Sequence, residues 1–153
     1  MKKPDSTKLT RAYSPSEIVS TNFICGLLKC GRKNDQLTKS IVYLASPYTH
    51  RDVNLRVRRA VAACQAAAEI MIKRPNVSVF SPIAHTHPIG AWVPETQNTH
   101  AFWMEQDEAF LCRAAELIVL KLDGWEASKG VQQEIAYAKE HDIPISYMEW
   151  RKL

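Results

Sequence analysis

The 153-residue chain has no apolar stretch approaching the roughly 20 residues that cross a bilayer as a helix. Its first residues also lack the ordered basic, apolar and cleavage regions of a secretory signal. Both absences lead to the expectation of a cytoplasmic protein. Cysteine is sparse: Cys25, Cys30, Cys64 and Cys112 are scattered, and only the first two are close. A Cys-x4-Cys pair without a matching second pair is poor evidence for zinc, so buried, reduced thiols are expected. Most of the chain also lacks a charge surplus. Residues 1–40 carry eight Lys/Arg against three Asp/Glu, whereas residues 41–153 carry twelve against thirteen. A nucleic-acid footprint would have to lie in the N-terminal arm, where solubility explains the basic residues more simply. With 46% apolar residues, the chain can bury one sizeable core but not a second independent one.

What is present reads as an alternation of strands and helices. Ser14-Pro15-Ser16-Glu17 is a capping box, and a helix from about Pro15 to Lys29 should follow, stopped at Gly31. Residues 1–40 thus form a basic extension with a capped helix, ahead of a body over residues 41–153. In that body Ile41–Ala45, Val77–Phe80, Leu117–Leu120 and Ile143–Tyr147 are strand candidates. Between them lie a helix from Asp52 to Lys73, a loop with prolines at 82, 88 and 94, a helix from about Thr99 to Ala115, and a helix from Ser128 to Glu140. In the first of these helices, Val57, Val61, Cys64, Ala68 and Met71 recur at three- and four-residue spacing and mark the expected buried stripe. The order predicts an α/β, three-layer Rossmann-like domain with a mostly parallel sheet of four or five strands, plus the N-terminal helix. In such a sheet the ligand crevice lies beyond the strand C-termini, which places Ser46, Ser81, His85 and residues 123–128 at one rim.

The stretch from Leu117 to Glu134 carries the most chemistry. An apolar run is followed by a polar turn through Asp123, Gly124 and Ser128, and then by Gly130 and Glu134 on an amphipathic helix. Ser128 reads as an N-cap, so its hydroxyl and the free N–H groups of the first turn face a place where an anion can sit. Gly130 and Glu134 are four apart and share a helix face, with room beside the carboxylate where glycine has no side chain. Val131, Ile135 and Ala138 form the opposite, buried stripe. Glu134 is a candidate nucleophile or base, and the plainer alternative is an exposed acid that favours the helix dipole.

Tyr43-Leu44-Ala45-Ser46-Pro47, Phe80-Ser81-Pro82, Asp107 before the third strand, and Asp123-Gly124-Trp125-Glu126-Ala127-Ser128-Lys129-Gly130 followed by Glu134 together resemble the nucleoside 2-deoxyribosyltransferase-like superfamily. Within it the look is closest to small bacterial and phage members and to 2'-deoxynucleoside 5'-phosphate N-hydrolases. The resemblance implies cleavage of the bond between C1' of a sugar and a base, with no cofactor and no metal. It gives Glu134 the attack on the anomeric carbon, Asp107 the sugar or the leaving base, and Tyr43 a place close to Glu134. Six residues before that glutamate, the resembling nucleotide hydrolases carry a phosphate-binding serine and the deoxyribosyltransferases an aspartate; here the residue is Ser128. A nucleoside 5'-monophosphate is therefore the expected substrate, held by Ser128, Gly130, Ser46 and Arg51.

The base pocket is read from composition alone. Trp92, Trp103 and Trp125 can stack a base or pack core, and Trp125, in the crevice loop, is the best choice. His85-x-His87 can touch the base or carry a proton, and His85 is taken as the contact. Base exchange by a transferase, or an inactive nucleotide-binding protein, remain the alternatives to hydrolysis. Relatives implied by the resemblance are commonly dimers, so a homodimer that meets a small nucleotide or nucleoside, and neither membrane nor nucleic acid, is the expectation.

Overall fold

Four short runs rich in apolar and β-branched residues form the sheet of the computed structural model, which describes residues 39–150. They are β1 (Ser40–Ala45), β2 (Val77–Phe80), β3 (Glu116–Lys121) and β4 (Ile145–Glu149). All pairings are parallel and the order is β2-β1-β3-β4. The two central strands are buried on both faces over Val42–Ala45 and Leu117–Leu120, which explains their unbroken apolar runs.

Helices cover both faces, as the alternation predicts. On one face α1 (Val53–Lys73) packs Ala62, Ala66 and Ile70 on Val42, Leu44, Ile118 and Leu120. On the other, α3 (His100–Leu111) and α4 (Lys129–Glu140) pack Leu111, Val131, Ile135 and Ala138 on Tyr43, Ala45, Leu117 and Val119. The α4 stripe is the expected one. The α1 stripe is not: Val57, Val61 and Met71 are 43%, 51% and 47% exposed, and Cys64 and Ala68 are exposed too. The helix carries two apolar stripes, and the alanine-rich one wins because small side chains let the helix backbone lie close on the sheet. Cys64 therefore faces outward with a free thiol, and Cys112 is partly buried, against the expectation of buried thiols.

Three further boundaries differ from the sequence reading. The proline-containing loop holds a helix, α2 (Pro82–Gly90), started by Ser81, whose Oγ accepts from the Ala84 N–H at 3.4 Å, with Pro82 at the first helical position. Helix α3 ends at Leu111, and by Ala115 the chain has joined the sheet, where its N–H donates to the Ile41 carbonyl at 2.8 Å. Strand β4 starts only at Ile145, because Asp142 adopts a left-handed φ of 54° and the Ile143 N–H returns to the Ala138 carbonyl, closing α4. The extension over residues 1–40, with the helix expected at Pro15–Lys29, falls outside the described residues apart from its last two. Among the described residues, no helix is long and apolar enough to cross a membrane.

Candidate active site

The chain leaves β1 to form α1 on one face of the sheet and leaves β3 to form α4 on the other, so adjacent strands diverge at their C-terminal ends. Such a switch point opens a crevice without any deformation of the sheet. Here it opens into a cavity of about 1040 Å³ bounded by the β1–α1 loop, the first turns of α1 and α4, and the α2–α3 segment. Gly124, with a left-handed φ of 83°, turns the chain out of β3, a conformation that favours glycine. Arg59 holds the two crevice loops together by donating to the Thr49 carbonyl at 3.1 Å and to the Asp123 carbonyl at 2.8 Å.

Glu134 lies at the floor of this cavity, only 6% exposed, and accepts a 2.6 Å hydrogen bond from the Tyr43 hydroxyl. Tyr43 is completely buried behind it, so its place in the core and its contact with the carboxylate are one arrangement. Burial, together with the nearby Glu134 and Asp107 carboxyls, keeps the Tyr43 phenol protonated far above its ordinary range, and it remains a donor. Burial also pushes the Glu134 carboxyl up to about 8; the Tyr43 hydrogen bond works in the other direction, and Asp107 adds to the rise. The upward shift prevails because Glu134 sits beyond the free N–H groups that open α4 and is almost completely buried.

Asp107 completes the floor. Glu105 and Glu108 on the same helix are exposed, whereas Asp107 is 7% exposed and lines the cavity. Burial raises its carboxyl to about 7, moderated by His100. Two carboxyl groups that titrate near neutral pH, one of them oriented by a buried phenol, can between them attack an electrophilic carbon and deliver a proton.

The structure brings Ser128, Gly130 and Ser46 to the same cavity. Ser128 is the N-cap of α4, yet its side chain makes no capping hydrogen bond, so the hydroxyl is uncommitted. The neighbour of Gly130 is His100: a Cβ there would meet His100 Cε1 at 3.9 Å, ordinary contact distance, so the glycine is not required by crowding.

The other three expected residues lie elsewhere. Arg51 is exposed on the loop before α1 and does not line the cavity; Arg56, half-buried one turn into the helix, does. Trp125 packs on the core with its ring 5.5 Å from that of Tyr147. His85 is exposed, 5.7 Å from the Phe80 ring, while His87 lines the cavity and shares a 2.7 Å hydrogen bond with the Tyr48 hydroxyl. Trp103 is the tryptophan at the cavity, anchored by its Nε1–H to Asn98 Oδ1 at 2.7 Å. Helical phase was the signal that could have found Arg56 and Arg59, which are three apart and share the face beside the rim.

The chain belongs to the family described as domain of unknown function (DUF1937), which matches residues 40–150, almost the whole described body. No curated protein matches it.

Proposed function

We propose that the chain is a nucleotide N-glycosidase: it hydrolyses the bond between base and sugar of a nucleoside 5'-monophosphate, in the manner of the nucleoside 2-deoxyribosyltransferase-like superfamily that its motifs resemble. The observation that carries this reading is the Tyr43–Glu134 hydrogen bond at the floor of a cavity shared with buried Asp107. Ionised Glu134 attacks C1', the bond to the base breaks with its electron pair going to the base nitrogen, and that nitrogen takes a proton from Asp107. A sugar ester on Glu134 results. Water, giving its proton to the Asp107 carboxylate, then attacks C1' and frees both the sugar phosphate and Glu134. The buried Tyr43 hydroxyl fixes the carboxylate rotamer throughout.

The monophosphate is favoured by donors and positive charge that line the same cavity. The free Ser128 hydroxyl, the N–H groups at the start of α4, Lys129 and half-buried Arg56 present donors and positive charge there. No metal or cofactor enters this chemistry. Base exchange differs only in whether a second base or water meets the ester, and a homodimer remains part of the proposal. The test is incubation with a panel of nucleosides and their 5'-monophosphates, with and without an added free base, read by chromatography. Free base with sugar phosphate supports hydrolysis, a new nucleoside indicates transfer, and neither product leaves a nucleotide-binding protein.

A further inference from the structure

Two buried side-chain oxygens among the described residues have no hydrogen-bond partner: Ser46 Oγ and Asp107 Oδ1. An orphaned buried polar atom costs on the order of 1–3 kcal/mol, and native folds keep few of them. These two come from different parts of the chain, the turn just after β1 and the middle of α3, yet both residues are 7% exposed and both line the cavity that holds Glu134. Among the other buried or half-buried polar side chains at the same cavity, Tyr48 pairs with His87, Trp103 with Asn98 and Glu134 with Tyr43. The two unmet atoms mark where a ligand completes the structure.

Their chemistry restricts what that ligand brings. A serine hydroxyl both donates and accepts, and a carboxyl oxygen accepts when ionised and can donate when protonated. A phosphate oxygen only accepts, and it is repelled by a carboxylate. Base amines and carbonyls have a fixed polarity. A hydroxyl answers both partners, whichever way the Asp107 proton stands. We propose that Ser46 and Asp107 together seat the two adjacent hydroxyls of a ribose, so that the substrate is a ribonucleotide rather than a 2'-deoxyribonucleotide, with Ser46 the residue that reads the difference. The inference rests on the N-glycosidase reading for the nucleotide nature of the ligand and deepens it by naming the sugar. Asp107 keeps its second oxygen for the proton that the leaving base needs. A deoxy sugar leaves one of the two buried atoms unmet, and sites built to bind a hydroxyl discriminate strongly against its absence.

The test separates the inference from the reading it rests on. Base release by the wild-type protein judges the reaction. Binding, measured by calorimetry in the Glu134→Gln protein so that no turnover occurs, judges the sugar: each of the four common ribonucleoside 5'-monophosphates is compared with the 2'-deoxy counterpart of matched base. At least about ten-fold tighter binding of the ribo member is expected. Adding Ser46→Ala should cut that ratio to under about two-fold by weakening the ribo ligand alone. Thermal unfolding of the ligand-free Ser46→Ala protein supplies a second readout. Removing an orphaned hydroxyl should leave the melting temperature unchanged or raise it, whereas a hydroxyl with a purely structural role would lower it. Equal or reversed affinities, a ratio that Ser46→Ala does not change, or no binding of any pair overturns the proposal.

Discussion

Replacing Glu134 by Gln separates two consequences of burying one carboxyl group. Gln is nearly isosteric with a protonated Glu, and its side-chain oxygen accepts from the Tyr43 hydroxyl as Glu134 Oε1 does at 2.6 Å. Packing is kept and titration is lost. Burial raises the Glu134 carboxyl from 4.5 to about 8. A carboxyl whose folded value lies above its unfolded value contributes fully at low pH, and that contribution is lost as pH rises through the folded value. The wild-type protein should therefore lose stability from about pH 4.5 upward and level off only above about pH 8, and the variant lacks this share of the loss. The gap between the two values corresponds to on the order of 5 kcal/mol as a ceiling. Water admitted by the cavity screens part of it, so the variant should be more stable than wild type by about 2–3 kcal/mol near pH 9 and by close to nothing near pH 5. Urea unfolding across that range, with equal slopes for the two proteins, measures the difference. Base release by the variant should be abolished at every pH, since the amide cannot attack C1'. A stability difference that does not vary with pH would show that Glu134 does not titrate in this window, and retained base release would remove it from the reaction.

The strands were legible because burial on both faces leaves little choice of residue: Val42–Ala45 and Leu117–Leu120 are apolar without a break. Helix α4 was legible because it has a single apolar stripe. Helix α1 was misread because it has two, and a hydropathy pattern scores Val57 and Val61 above the alanines that pack closest. Pro88 obscured α2, although Ser81 followed by Pro82 is itself a helix start; a proline in the last turn of a short helix removes little. In the site, Tyr43, Asp107 and Glu134 come from three elements, and only their motifs linked them before the fold did. Arg51 was chosen for its nearness in sequence to the crevice turn, whereas a helix that starts at the rim turns its fourth and seventh residues, Arg56 and Arg59, toward the cavity. Trp125 and His85 fall on rim segments, but membership of a rim does not say which way a side chain leaves it.

Tyr43→Phe leaves Glu134 Oε1 buried without its donor, so it should cost about 1–3 kcal/mol in chemical unfolding and lower the maximal rate of base release, because the lost hydrogen bond is what holds the Glu134 carboxyl down and a smaller share of it is then ionised; an unchanged rate would return Tyr43 to the core alone. Ser128→Ala and Arg56→Ala should each lower kcat/KM for a 5'-monophosphate by roughly ten-fold or more while changing the free nucleoside little; equal losses on both substrates would take the phosphate away from these two residues. Arg59→Ala should speed amide hydrogen exchange in both crevice loops, around Thr49 and around Asp123, because one guanidinium ties their carbonyls; a change in one loop alone would contradict the clamp. The face that α1 buries gives the last test. Ala66 is completely buried against the sheet, and Val61 is 51% exposed. Leu is almost as good a helix former as Ala, so Ala66→Leu changes packing and little else, and overpacking should cost about 1–3 kcal/mol. Val61→Ala removes more hydrophobic bulk than most surface changes, yet on an outward face it should stay within about 0.5 kcal/mol of wild type. If urea unfolding reverses that order, the valine stripe is the face in contact, and the alanine-packed core described for α1 is wrong.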